Sequence, residues 1–113
     1  MELSNFIALQ EKRASIYSSW NKALVSFLED KNSETYQKAI SEATQQLKGI
    51  RDQVKNRGVS EKPDIVAKIE ALEDQHLKQN VDYHRRRVMG NTSNRLSIVQ
   101  TEEDIMDLVV ELK

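Results

Sequence analysis

Residues 33–56, SETYQKAISEATQQLKGIRDQVKN, decide the fold. Tyr36, Ile40, Ala43, Leu47, Ile50 and Val54 recur at alternating steps of four and three. Side chains three or four apart stack on one face of a helix, whereas a strand would alternate in twos. A strict four-three alternation is the seam by which one long helix packs along another. The stretch is therefore expected to be an amphipathic helix with a helical neighbour.

Working towards the start, Asp30-Lys31-Asn32-Ser33 interrupts the pattern. Asn32 or Ser33 can cap the second helix by accepting from a free backbone N–H, and Glu34 suits its first turn. Before the break, Phe6, Leu9, Arg13, Ile16, Trp20, Ala23 and Phe27 repeat at threes and fours, with Tyr17, Leu24 and Leu28 beside them. A first helix over about 3–29 is expected, with a stripe wide enough for two neighbours.

Working towards the end, Lys55 and Arg57 oppose the helix dipole, and Gly58 offers a left-handed close. Pro63 suits a first helical position, so a third helix is expected over 63–88. Its apolar residues fall into two sets: Ile65, Ile69 and Leu72, then Leu77, Val81, His84 and Val88. The sets are out of phase by about one residue, which predicts either a change of partner midway or a second half that projects beyond the core. Gly90 to Asn94 reads as a loop. A fourth helix is expected over about 95–112, with Ile98, Ile105, Leu108 and Leu112 on one face and Thr101 with Asp104 as a weak capping box. The short links call for antiparallel neighbours. The expectation is an all-α, antiparallel helical bundle or coiled-coil hairpin of three to four helices, as a single domain over 1–113.

Composition agrees. The 113 residues hold 3 Gly and 1 Pro, few breakers for that length, and 31% charged residues, as long exposed helices require. The formal net charge is −1, so no overall field draws the chain to nucleic acid or an anionic membrane. The charge is uneven all the same. Residues 96–113 hold one basic and five acidic side chains, and residues 57–95 hold eight and six. With no Cys, disulfides, thiolate zinc sites and a Cys nucleophile are excluded. No apolar run approaches the roughly 20 residues that span a bilayer. Met1 to Gln10 lacks the basic-then-apolar order of a secretory signal. Nuclear or cytoplasmic residence is expected.

No catalytic pattern stands out. His76 and His84, the only two histidines, lack the His-Glu-x-x-His spacing of a zinc helix and read as solvent-facing or half-buried. Adjacent carboxylates such as Glu73-Asp74 point to different sides of a helix. Three scattered glycines cannot form a phosphate loop. Neither an enzyme, a metal nor a cofactor is expected. Two clusters carry alternatives. Arg85, Arg86 and Arg87, with Lys78, could contact nucleic-acid phosphates or an acidic partner, or could be a solvated helix end favoured by the dipole. Tyr17, Trp20 and Phe27 could be core, or the aromatic anchor of a protein partner.

Leu9-Gln10-Glu11-Lys12-Arg13 with Tyr17, then Glu42-Ala43-Thr44-Gln45, Lys62-Pro63-Asp64-Ile65, Ile69 and Leu72-Glu73 resemble, in order and spacing, the "required for excision" DNA-repair B-type domain family. Asn94-Arg95-Leu96 fits its closing segment. Lys62 and Ile65 stand where the family pattern has Arg and Leu, and Trp20-Asn21 replaces a more acidic, Gly-containing stretch. The resemblance implies a small helical protein of DNA excision repair and brings no catalytic residues. The expectation is a non-enzymatic accessory or adaptor that binds other proteins. The alternatives are a structural coiled-coil subunit self-associating through Tyr36, Ile40, Leu47, Ile50 and Val54, or a direct nucleic-acid binder.

Overall fold

A computed structural model describes residues 1–113. The chain is all-α, with four helices: α1 Leu3–Asp30, α2 Ser33–Arg57, α3 Pro63–Val88 and α4 Leu96–Leu112. They pack in two pairs, α1 on α2 and α3 on α4. The chain divides into two compact units, Met1–Ser60 and Glu61–Lys113, each a helical hairpin.

The first hairpin turns in two residues. Asn32 caps α2, its side chain accepting from the Thr35 N–H at 3.2 Å. Lys31 closes α1 in the left-handed conformation, φ 58° and ψ 24°, with its N–H on the Phe27 carbonyl. A residue with a Cβ is strained there, and glycine is not. Lys31→Gly is expected to raise the unfolding free energy by about 0.5 kcal/mol. Relief of strain exceeds the loss of the exposed contact between the Lys31 ammonium and the Phe27 ring, 5.6 Å away. Urea unfolding checks this; a loss of stability would show that the contact outweighs the strain. Gly58 ends α2 at φ 67° but with an extended ψ of 165°, so it redirects the chain instead of prolonging a left-handed turn.

Tyr36, Ala43, Leu47, Ile50 and Val54 are all buried within the chain, and Ile40 is half-buried. The four-three seam is thus filled without a second chain. Self-association through these side chains, one of the sequence-based alternatives, would require the hairpin to open. On α1, Phe6, Ile16, Tyr17, Trp20 and Leu24 are buried. So are Gln10 and Arg13, whose guanidinium donates to the Gln10 amide oxygen at 2.6 Å.

In the second hairpin the expected break of phase in α3 does not occur. The buried positions are Val66, Ile69, Glu73, His76, Asn80 and His84. Their steps are three, four, three, four and four, one continuous seam. Its second half is polar, which is why an apolar pattern lost it. Val81 and Val88, assigned to the inner face from sequence, are exposed. α4 starts at Leu96, so Thr101 lies inside the helix and is no cap; its hydroxyl donates to the Ser97 carbonyl at 3.0 Å. Ile98 and Leu112 are buried, with Ile105, Leu108 and Val109 half-buried on the same side. Lys62 Nζ donates to the Glu111 carbonyl at 2.8 Å, tying the start of α3 to the end of α4.

Candidate functional site

Three places hold polar or aromatic side chains in arrangements beyond simple apolar packing. The first is the polar seam between α3 and α4. His76 and His84, expected to be solvent-facing or half-buried, are 4% and 2% exposed. The His76 ring lies between two carboxylates, with Glu73 at 3.6 Å from Nδ1 and Glu102 of α4 at 3.2 Å from Nε2. Glu102 also faces the Arg95 guanidinium at 3.9 Å. Arg95 covers the Tyr83 ring at 5.3 Å, and Tyr83 meets the His84 ring edge-on at 5.7 Å. The Asn80 amide donates to the His76 carbonyl at 2.8 Å, and Gln75 donates to the Thr101 hydroxyl at 3.1 Å.

Burial pushes His84 down to about 4, helped by the Arg95 charge. An imidazole in that environment stays neutral at physiological pH. A histidine flanked by carboxylates is a motif of acid–base chemistry, but His76 is enclosed, and it meets one carboxylate of its own helix and one of α4. The geometry supports a structural clasp between α3 and α4. No group of three His, Asp or Glu is placed to hold a metal ion.

The second place is the basic end of α3. Lys78 is exposed. Arg85 and Arg86 have side chains 70% and 57% exposed, and both pair with Asp82, at 3.2 and 3.0 Å. Arg87 is half-buried, and its enclosed Nε has no hydrogen-bond partner. The four cations therefore do not form one patch: one carboxylate holds two of them, and a third is turned inward. Exposed pairs of this kind contribute little to stability.

The third place is the aromatic set of the first hairpin. Tyr17 and Trp20 stack at 6.1 Å and are 7% and 2% exposed; Phe27 is half-buried and stacks on Tyr36 at 5.1 Å. Burial pushes the Tyr36 phenol up, and the neighbouring Trp20 indole acts the other way. The set does not form an open aromatic face. Beside it, a groove of about 250 Å³ runs between α1 and α2. Ile16, Trp20, Ala39 and Ala43 line it, with Lys12 and Glu42 among its polar residues.

Sequence reasoning missed two features. The inward aim of Glu73, Asn80 and Thr101 was hidden because these three side chains were not counted towards a seam. The outer face of α4 was missed because only its inner face was sought. Leu96, Val99, Met106 and Val110 are 76%, 43%, 66% and 65% exposed. Their spacing of three, seven and four was a readable signal.

No helix is long and apolar enough to cross a membrane. Comparison with curated proteins and with solved structures gives no match. The family model described as DNA repair REX1-B matches residues 1–104. That span takes in the first hairpin, α3 and the first half of α4, most of the chain, so this chain belongs to the DNA repair REX1-B family.

Proposed function

We propose that this protein is a non-enzymatic accessory factor in the excision of damaged DNA, acting in the nucleus by holding another protein. Membership of the repair family carries the repair half of this reading. The groove beside Trp20 supports the binding half. A concave, part-apolar slot with charged residues around it accepts the anchoring side chain of a protein partner, and such anchors supply most of the energy of an interface. Tyr17 and Phe27 act behind the groove, by holding Trp20 and Tyr36 in place.

Direct nucleic-acid contact through Lys78, Arg85, Arg86 and Arg87 is the weaker reading. Asp82 already pairs with two of these cations, and Arg87 is turned inward. It would also make binding fall steeply with salt.

The test is the rate at which cells clear bulky DNA lesions. Cells lacking the protein are expected to clear them more slowly, and the wild-type chain to restore the rate. Ser19 is exposed and lines the groove, so Ser19→Trp fills the slot without entering the core. The variant is expected to fold with unchanged stability and fail to restore clearance. Normal clearance without the protein would end the repair reading. Full rescue by Ser19→Trp would remove the groove from it.

A further inference from the structure

All but one of the large apolar side chains that the chain exposes lie between Val81 and Val110, in the second hairpin. They are not scattered. On α4, Leu96, Val99, Glu103, Met106 and Val110 follow one another at steps of three, four, three and four, and all five are exposed. That is a second packing seam, on the side of α4 away from α3. Its one polar member is acidic, and exposed Asp107 follows Glu103 one turn on. Neither carboxylate is paired within the chain.

α3 carries a matching row. Lys78, Val81, Arg85 and Val88 follow at three, four and three, and all four are exposed, with exposed Met89 beside the last. This row alternates basic and apolar residues, where the α4 row is acidic and apolar. The second hairpin thus holds two half-interfaces of the same period and opposite charge.

We infer that the partner of this surface is a second copy of the chain. A two-fold axis lays the α4 seam of one copy on the α3 row of the other, and the same operation makes the reciprocal contact. A different partner would need to present both an apolar-basic and an apolar-acidic helix, and a second copy has both. Glu103 and Asp107 of one copy then meet Lys78 and Arg85 of the other, with Arg85 sharing its exposed guanidinium between them and Asp82 of its own helix. A charged residue within an apolar seam weakens pairing but fixes one alignment, because any other leaves it facing apolar side chains. The inference stands on the second hairpin alone and does not depend on the repair reading.

Sedimentation velocity of the full chain over a range of concentrations tests it. A dimer is expected, and Met106→Glu, at an exposed position, is expected to raise the dissociation constant by at least about tenfold. Charge exchange gives the decisive arm. Lys78→Glu with Arg85→Glu, and Glu103→Lys with Asp107→Lys, are each expected to give monomers. Mixing the two variants, or combining all four changes in one chain, is expected to restore the dimer. Circular dichroism confirms that each variant stays helical, and the four-change chain keeps the test valid if a two-change variant does not. A wild-type monomer at every concentration overturns the inference. So does a dimer indifferent to charge exchange, or one that neither mixing nor recombination restores.

Discussion

Stability is expected to fall by about 3 kcal/mol as the pH is lowered from above 6.5 to about 4, with His84 as the cause. Burial and the Arg95 charge hold the folded-state value near 4, against 6.5 for a free histidine. A gap of that size corresponds to about 3 kcal/mol of preference for the neutral ring. The sign follows from which state takes up the proton. Between these two values the unfolded chain binds it and the folded chain does not, so acid favours unfolding. The contribution is complete above pH 6.5, is lost through the window, and is flat below about 4. Chemical unfolding at a series of pH values measures the slope. His84→Gln keeps a polar side chain of similar reach and is expected to flatten that part of the profile, whatever its effect at neutral pH. An unchanged slope in the variant would show that the ring is not held neutral in the fold.

The second large effect is expected at Trp20. Trp20→Ala should destabilise the chain by about 3–5 kcal/mol, because a 2%-exposed ring leaves a cavity its neighbours only partly fill. Trp20→Phe separates the ring's packing from the contribution of the indole N–H. It keeps an aromatic ring beside Tyr17 but removes the indole N–H near the Tyr36 phenol, and is expected to cost about 1–2 kcal/mol. Equal losses for the two variants would assign the effect to the indole N–H instead of the ring's volume. A loss under about 1 kcal/mol for Trp20→Ala would show that the ring is not part of the core.

The first hairpin could be read closely from sequence, because its physics is the kind that a hydrophobic pattern encodes. Apolar residues at threes and fours, Asn32 at a cap and Gly58 at a close all act locally. The second hairpin could be read for its helices but not for its faces. Ile65 and Leu77 look like core, yet Glu73, His76, Asn80 and His84 hold the buried line. Whether a polar side chain points inward depends on partners 26 residues away, such as Glu102 for His76, and no local rule contains them. The basic run shows the same limit. Arg85, Arg86 and Arg87 look equivalent in sequence, and only the helix's rotation decides that two reach Asp82 and one is half-buried. The groove beside Trp20 was not legible either, since it belongs to the space between two helices.

The polar line between α3 and α4 also sets how far the two helices can slide. Leucine against leucine is nearly indifferent to a shift along the axis, since one methyl group replaces another. His76 against Glu102 and Gln75 against Thr101 have partners at one height only. A slip of one turn, about 5.4 Å, would take these partners away and leave the enclosed His76 ring without its Glu102 contact. The hairpin therefore works as a vernier with a single coincidence of its marks. The spacing between the outer rows of α3 and α4 is fixed from the inside, by the buried His76 and Thr101 and the partners they meet across the hairpin.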